Sequence, residues 1–314
     1  MIVVTGGAGF IGSNLVRGLN REGHEDVVVV DELTDGRKFE NISDCKICDY
    51  LDKDEFMALL QERGPWAKKI RTVFHQGACA VTTEWDGRYM MENNYTYSKR
   101  LLDFCLNRDL QFIYASSAAV YGTGVNFAED GKHEKPVNVY AYSKYLFDEY
   151  VRNRLDQNSS QIAGLRYFNV YGPRERYKAA MASVIFHFNF QNLKEGKIRL
   201  FKGSGGYEDG EQRRDFIYVD DVVDVNLWMM RNTDVSGIFN VGTGTSRSFN
   251  DVARAVVNWH GRGDIHYIDF PEKLKDSYQS FTQADISALQ KAGYSADFTD
   301  LDAGVRKYLD WMNR

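Results

Sequence analysis

The chain has 314 residues, more than a single hydrophobic core usually supports, and two packed lobes are therefore expected. A formal net charge of −5 at pH 7 argues against nucleic-acid binding through net basicity. There is no run of 18 apolar residues and no leader-like start, so we expect a cytoplasmic protein that does not bind membranes. Cys45 and Cys48 form a lone Cys-x-x-Cys, and no metal site is predicted.

Short apolar runs alternate with stretches of helical periodicity in the N-terminal part of the chain. The predicted buried strands are Ile2–Val4, Val27–Val30, Thr72–Phe74, Phe112–Tyr114 and Ile162–Leu165. The predicted helices between them are Ser13–Arg21, Asp54–Glu62, Asn94–Asn107 and Tyr142–Arg154. This alternation predicts an α/β fold built on a doubly wound parallel sheet of the Rossmann type.

After Pro173 the pattern is less regular. The predicted elements there are helices at Ala182–Leu193, Asp220–Met230 and Leu301–Met312, with strands at Ile198–Phe201, Phe216–Val219 and Ile238–Val241. We expect the last two strands to return to the first lobe. A dinucleotide-binding domain would then comprise residues 1–169 and about 215–243, and a smaller α/β substrate-binding domain about 170–214 and 244–314.

A glycine-rich turn follows the first predicted strand and precedes a helix. Gly6, Gly9 and Gly12 have the spacing that lets a backbone approach a pyrophosphate at a helix N-terminus. Asp31 ends the second strand, where a carboxylate meets the adenosine ribose and favours NAD. Lys38 and Lys53 lie nearby and could neutralise the 2′-phosphate of NADP, so these residues leave the choice between the two cofactors open.

A Tyr-x-x-x-Lys pair predicts the catalytic centre. Tyr140 and Lys144 lie one helical turn apart, and the lysine charge would lower the tyrosine pKa so that the phenolate can accept a proton. Ser116-Ser117 ends a predicted strand upstream, and we assign Ser116 to bind the reacting oxygen. All these motifs fall at the carboxyl ends of strands, where open α/β sheets bind ligands.

Together with the segments Arg166–Pro173 and Arg214–Val219, these motifs resemble the extended short-chain dehydrogenase/reductases, a class of nucleotide-sugar epimerases and dehydratases. Within that class, nearly the whole chain resembles the ADP-L-glycero-D-manno-heptose 6-epimerases. The segments that carry this closer resemblance are His75–Cys79, Thr82–Gly87, Tyr89–Tyr95, Met181–Val184 and Tyr278–Asp285.

The resemblance implies that an ADP-heptose substrate is epimerised at C6 through a 6-keto intermediate, with a bound NADP rather than NAD. It implies Lys178 as a second base beside Tyr140, and a homo-oligomer, a pentamer in the family. The implied cofactor-binding residues, beyond the three glycines, are Phe10, Ile11, Asp31, Glu32, Lys38, Lys53, Gln76, Gly77, Ala78, Cys79, Ala80, Asn93, Lys144, Val170 and Lys178. The implied substrate-binding residues are Ser116, Asn169, Ala180, His187, Phe201, Lys202, Gly203, Ser204, Arg214 and Tyr278.

Two departures from the family pattern and three competing functions bear on this reading. Ala179-Ala180 stands where the resemblance leads us to expect Gly-Ser, and the loop from Gly205 to Gln212 is longer. A UDP-hexose 4-epimerase keeps the same tyrosine and serine without needing Lys178, and is the main alternative. A 4,6-dehydratase is disfavoured because Ala118-Ala119 cannot transfer protons. A non-catalytic dinucleotide-binding relative is disfavoured by the intact Ser/Tyr/Lys set.

Overall fold

The computed structural model describes residues 1–62, 64–157, 159–271 and 278–314. The strands are β1 (Ile2–Thr5), β2 (Val27–Asp31), β3 (Asp49–Asp52), β4 (Thr72–His75), β5 (Gln111–Ser117), β6 (Ile162–Tyr167), β7 (Asn169–Tyr171), β8 (Lys197–Phe201), β9 (Arg213–Arg214), β10 (Phe216–Tyr218), β11 (Gly237–Val241), β12 (Arg247–Ser248) and β13 (Asp264–Ile268). The α-helices are α1 (Phe10–Arg21), α2 (Lys53–Glu62), α3 (Gly87–Met91), α4 (Tyr97–Leu106), α5 (Val139–Leu155), α6 (Val184–Glu195), α7 (Val219–Arg231), α8 (Phe249–His260), α9 (Ser287–Lys291) and α10 (Leu301–Met312).

Within the described ranges, seven strands form one parallel sheet in the order β11-β6-β5-β4-β1-β2-β3. The chain builds outward from β1 in one direction and then from β4 in the other. The strand order therefore reverses between β1 and β4, which is the switch point where such sheets bind ligands. The predicted α/β fold with a doubly wound parallel sheet is confirmed.

The side chains of the central strands alternate between two cores on opposite faces of the sheet. Val4 and Val29 pack in the core that α1 and α7 cover. Val3, Val28 and Val30 pack in the core that α2, α4 and α5 cover. Because both faces are buried, the strands are continuous apolar runs, which explains why the sequence pattern identifies them.

A third core lies under α6, α8 and α10. Ile185 and Phe188 of α6 pack there with Val252 and Val256 of α8 and with Leu309 of α10. Strands β8 and β13 form a parallel pair beside this core. No α-helix in the described part of the chain is long and apolar enough to cross a lipid bilayer. The predicted boundaries between a dinucleotide-binding and a substrate-binding domain stay a prediction.

Most predicted elements are confirmed, and two need correction. The five strands predicted in the first half are β1, β2, β4, β5 and β6. The helix predicted from Tyr142 begins at Val139, because the Asn138 side chain accepts a hydrogen bond from the Ala141 amide at 2.8 Å and caps it. Of the two strands predicted to return to the first lobe, β11 pairs with β6, whereas β10 pairs with β7 in a separate sheet.

At Gly164 of β6 there is no room for a side chain, because the Tyr114 ring packs against the backbone. A Cβ at Gly164 would lie 2.5 Å from the Tyr114 ring, whose hydroxyl is held by Asp148 at 2.8 Å. We expect Gly164→Ala to lower the free energy of unfolding by about 1–3 kcal/mol, because the ring cannot retreat. Gly64 has open space around its Cβ position, and Gly64→Ala should change stability by less than about 0.5 kcal/mol. Urea unfolding measures both; equal effects would contradict the packing argument.

Candidate active site

The glycine turn after β1 forms a concave backbone surface, the glycine cradle, which side chains at its glycine positions would fill. Gly6 has φ +65°, and a Cβ there would lie 2.6 Å from the backbone of Gly77, in the loop after β4. A Cβ at Gly12 would lie 2.1 Å from the Gly6 carbonyl oxygen. These two positions therefore require glycine, because two loops and the start of α1 meet at the switch point.

The N-terminus of α1 opens into the same cleft. Gly9 is the N-cap residue, and no side chain caps the first amides of the helix, which remain available to an anion. The cleft has a volume of about 490 Å³ and extends from the glycine turn past the end of β2 to Lys178. Its lining includes these predicted cofactor residues: Gly6, Gly9, Phe10, Ile11, Gly12, Asp31, Glu32, Lys38, Lys53, Gln76, Gly77, Ala78, Cys79, Ala80, Asn93 and Lys178.

The carboxylate of Asp31 closes the end of this cleft that is predicted to hold the adenosine, called the adenosine end below. Its Oδ2 accepts from the Ala8 amide at 2.8 Å, which ties the end of β2 to the glycine turn. Its Oδ1 accepts from the Glu32 amide at 2.8 Å and from Lys38 Nζ at 2.5 Å. A carboxylate at this point can accept ribose hydroxyls, and the adjacent ammonium group adds a positive charge.

A second acid–lysine pair lies beside the first. Lys53 Nζ contacts Glu32 Oε2 at 2.6 Å and donates to Asn93 Oδ1 at 3.1 Å. Lys53 is the first residue of α2 and Asn93 lies in the π-helical turn before α4, so two helices bring these side chains together. The adenosine end thus contains two carboxylates that suit NAD and two lysines that suit the 2′-phosphate of NADP.

Tyr140 lies in the first turn of α5, beside the side chain of Ser117. Burial raises the pKa of Tyr140, and hydrogen bonding to Ser117 opposes the rise. One turn later, Lys144 is buried and donates from Nζ to the Ala115 carbonyl oxygen at 2.8 Å. Burial lowers the pKa of Lys144 to about 8. The predicted lowering of the Tyr140 pKa by Lys144 is wrong for this structure, because burial raises this pKa and Lys144 is not among the groups that shift it.

The structure gives Ser116 other partners than its predicted catalytic role requires, and that role stays a prediction. Ser116 is buried, and its hydroxyl donates to Asp148 Oδ2 at 2.8 Å, in a network that includes Arg166. Consecutive residues of β5 point to opposite faces, so only one of the two serines can face Tyr140. That serine is Ser117. Alternation along β5 does not identify it from the sequence, because Tyr114 and Ser116 share the face that α5 covers and the other face is buried as well.

Lys178 reaches the cleft from the 3₁₀ segment Arg176–Met181. Its Nζ lies 5.2 Å from the centroid of the Phe10 ring, over the start of α1. Burial lowers the pKa of Lys178, and the charge of Glu175 opposes this shift. The next residue, Ala179, has φ +48°, a conformation that favours glycine. The departure from the family's Gly-Ser therefore falls where the backbone conformation most suits glycine.

Several predicted substrate residues gather around Arg214, near the third core. Arg214 is buried and its guanidinium lies 5.0 Å from the Tyr278 ring centroid. Phe270 contacts the rings of Tyr278 and Phe201, at 5.0 and 5.2 Å. Burial lowers the pKa of Arg214, and no carboxylate among the described residues lies within ion-pair distance of it. A buried guanidinium beside aromatic rings suits an anionic ligand with a flat base.

The remaining predicted substrate residues are more dispersed. Ser204 precedes the turn at Gly205, Lys202 is exposed and pairs with Asp269 at 2.7 Å, and the Gly203 amide donates to Asp209 at 2.7 Å. Asn169 is exposed at the start of β7, where its Oδ1 accepts from Thr282 at 3.4 Å. Ala180 is exposed, His187 is half-buried on α6, and Val170 packs against the first core.

Some cleft residues have no signal in the sequence. Asn41 donates to the carbonyl oxygens of Ala8 and Arg174, both at 3.1 Å, and joins the glycine turn to the segment that carries Lys178. The partners lie 33 and 133 residues away along the chain, so no local pattern can predict these contacts. Other lining residues of this kind are Tyr89, Tyr97 and Tyr177.

The geometry can now be compared with known proteins. The model of the NAD dependent epimerase/dehydratase family matches residues 2–242. The chain belongs to this family. A relative named ADP-L-glycero-D-manno-heptose-6-epimerase, from Alkalilimnicola ehrlichii, is 57% identical over 310 residues, covering 99% of this chain and 97% of that protein. The resemblance to the heptose 6-epimerases is thereby confirmed.

Solved structures of epimerases share the fold. A Helicobacter pylori ADP-L-glycero-D-manno-heptose-6-epimerase matches with a TM-score of 0.85 and 33% identity, covering 99% of this chain and 96% of that chain. A Thermus thermophilus UDP-glucose 4-epimerase in complex with NAD matches with a TM-score of 0.81 and 28% identity, covering 99% and 98%. The glycine cradle and the open N-terminus of α1 fit the nicotinamide dinucleotide that the family's name specifies.

Substitution of each serine tests directly whether Ser117 or Ser116 acts beside Tyr140. Ser117→Ala should lower turnover about a hundredfold, because it removes a hydrogen bond beside the reacting oxygen. Ser116→Ala should leave turnover near wild type and lower stability by about 1 kcal/mol, because it removes a buried hydrogen bond to Asp148. Steady-state rates and melting temperatures of the two variants measure this. A turnover loss confined to Ser116→Ala would reverse the assignment.

Proposed function

We propose that this protein is an epimerase that inverts C6 of ADP-D-glycero-D-manno-heptose to give the L-glycero epimer, for the inner core of lipopolysaccharide. The observation that carries the proposal is 57% identity over 99% of the chain to a protein of that name. The placement of Lys178 in the cofactor cleft supports it further, because a UDP-hexose 4-epimerase would not need that lysine.

The two sides of the reaction fall to groups on separate segments. When bound, a nicotinamide dinucleotide would accept a hydride from C6 and return it, so that the alcohol passes through a ketone. Tyr140 would take the hydroxyl proton while Ser117 holds the same oxygen. Because the configuration is inverted, the oxygen must approach a different group when the proton returns.

Lys178 would be that second group. It comes from the segment after β7, whereas Tyr140 comes from α5, so the two can serve opposite faces of one carbon. Burial lowers the pKa of Lys178, which brings its charged and neutral forms closer to balance near neutral pH. A lowered pKa makes it easier for this amine to give up a proton and take it back.

The nucleotide end of the substrate would bind near Arg214. Its forked guanidinium suits a pyrophosphate, and the rings of Tyr278 and Phe201 suit an adenine and its ribose. Arg214 also lies over the ring of Phe249, which packs against the third core, so the nucleotide would bind beside that core. The longer loop from Gly205 to Gln212 would border this end.

We also propose that the cofactor is NADP, that the protein acts in the cytoplasm, and that it forms a homo-oligomer, a pentamer by the family resemblance. Support for NADP comes from Lys38 and Lys53, whose ammonium groups both lie at the adenosine end of the cleft. Support for self-association comes from large exposed apolar side chains such as Trp85, which is 73% exposed.

The function is tested with purified protein and no added cofactor. ADP-D-glycero-D-manno-heptose should convert to its L-glycero epimer, because the resident dinucleotide is regenerated in each turnover. UDP-galactose should remain unchanged under the same conditions. NMR of the product resolves the two heptose epimers, and Tyr140→Phe provides a folded control that should lose turnover. Comparable conversion of UDP-galactose would move the assignment to a hexose 4-epimerase.

The cofactor is tested by mass spectrometry of the dinucleotide released on denaturation, which should be mainly NADP. Lys53→Ala should weaken NADP binding about tenfold or more and NAD binding much less, because a charge-assisted hydrogen bond to phosphate is lost. Lys46 makes a comparable pair with Glu25 at 2.5 Å outside the cleft, so Lys46→Ala serves as the matched control. Equal losses of both cofactors in Lys53→Ala would show that this lysine does not read the 2′-phosphate.

A further inference from the structure

The segment that carries Lys178 is closed at its base by one buried carboxylate. Glu175 is fully buried, and its Oε2 accepts from the Ser183 amide at 2.5 Å. Its Oε1 accepts from the Ser183 hydroxyl at 2.6 Å. Residues 175 and 183 flank the 3₁₀ segment, so these two bonds tie its ends together.

We propose that Glu175 is the positioning residue for Lys178: by joining the two ends of the segment, its carboxylate fixes where the lysine amine stands in the cleft. The inference rests on the proposed function, in which Lys178 is the second acid–base group. Glu175 itself touches neither substrate nor cofactor in this scheme. It acts through the backbone that displays the lysine.

The two hydrogen bonds from Ser183 to Glu175, which we call the clamp, are anchored on the third core. Ser183 is the N-cap of α6, where its hydroxyl accepts from the Phe186 amide at 3.3 Å. Tyr308, on α10, lies close enough to Glu175 for its hydroxyl to lower the pKa of that carboxyl. Glu175 therefore connects the Lys178 segment to two helices whose apolar faces are buried. A side chain held in this way is restrained far more than one on an unanchored surface loop.

Inside the segment, short backbone bonds pass this restraint on to the lysine. The Lys178 amide donates to the Glu175 carbonyl oxygen at 2.9 Å, and the Ala182 amide donates to that of Ala179 at 3.1 Å. Ala179 has φ +48°, a conformation that costs an alanine free energy and persists only where the surroundings impose it. The clamp between Glu175 and Ser183 imposes this conformation by holding the two ends of the segment together.

The Glu175 carboxylate also acts on the Lys178 amine through its charge. Burial lowers the pKa of Lys178, and Glu175 is the charged group that opposes this shift. Burial likewise raises the pKa of Glu175, and the Ser183 hydrogen bond and the Lys178 charge oppose that rise. None of the other charged or titratable groups that line the described cleft contributes to the pKa shift of Lys178. These groups are Asp31, Glu32, Lys38, Lys53, Cys79, Tyr89, Tyr97, Arg174 and Tyr177.

Two variants separate the geometric effect of Glu175 on Lys178 from the effect of its charge. Glu175→Gln keeps the size and one acceptor but removes the charge, whereas Ser183→Ala keeps the charge and removes one bond of the clamp. The matched control is Asp221→Asn. Asp221 is another buried carboxylate that accepts from the amide and hydroxyl of one residue, Thr299, at 2.9 and 2.8 Å, away from Lys178. All three variants should lose comparable thermal stability.

We expect Glu175→Gln to lower kcat for epimerisation about tenfold or more with KM changed less than about twofold, because a misplaced acid–base group slows the proton step without weakening substrate binding. Ser183→Ala should lower kcat in the same way but by less, and Asp221→Asn should leave both constants near wild type. Lys178→Met defines the rate with no amine at all. A kcat for Glu175→Gln equal to that of Asp221→Asn would overturn the proposal.

A second measurement needs no substrate. The rate at which acetic anhydride modifies Lys178, followed against pH by peptide mass spectrometry, reports the pKa of its amine. Removal of the Glu175 charge should move that pKa to lower pH in Glu175→Gln, whereas Asp221→Asn should leave it unchanged. An unchanged titration in Glu175→Gln would overturn the proposal. If the wild-type protein does not epimerise ADP-heptose, the proposed function fails, and this titration still decides whether Glu175 governs Lys178.

Discussion

Two backbones touch where the strand order of the sheet reverses, and neither can carry a side chain at the point of contact. Gly6 after β1 lies against Gly77 after β4, and Gly12 at the start of α1 lies against the Gly6 carbonyl oxygen. This close approach aims the first amides of α1 into the cleft. It also sets the distance between the pyrophosphate position and the end of β2, where Asp31 is bound to the same turn through the Ala8 amide. The rest of the active site is arranged around this contact.

Buried polar contacts fix α5 against the sheet. Lys144 holds the carbonyl oxygen of Ala115, while Asp148, one turn further on, holds the side chains on either side of it, Tyr114 and Ser116. Arg166 Nη2 balances the Asp148 charge at 2.9 Å and lies 2.7 Å from the buried carboxylate of Glu134. A buried network of this kind is costly to break on one side, because the partner is left charged and unpaired. It therefore keeps α5, and with it Tyr140, in one register on β5.

The proposed acid–base groups are held by different cores. Tyr140 and Ser117 belong to the sheet and α5, whereas Lys178 stands on a segment tied through Glu175 to α6 and α10. Arg214 and its aromatic neighbours lie at the third core as well. Strand β10 passes between these regions, with Ile217 in the first core and Phe216 and Tyr218 in the third. The relative placement of the two halves of the site thus follows from how the cores pack.

The sequence by itself determined the elements whose signals are local. The apolar runs of the central strands, the glycine spacing after β1 and the Tyr140–Lys144 spacing each depend on one period or one turn, and the structure contains them all. Only the tertiary structure decided which of two adjacent serines faces Tyr140, because the phase of a strand follows from what packs on each face. Only it revealed the clamp from Glu175 to Ser183, since such a bond depends on the path of the chain between the two residues. Patterns in sequence report periodicity; the meeting of separate segments is set by packing.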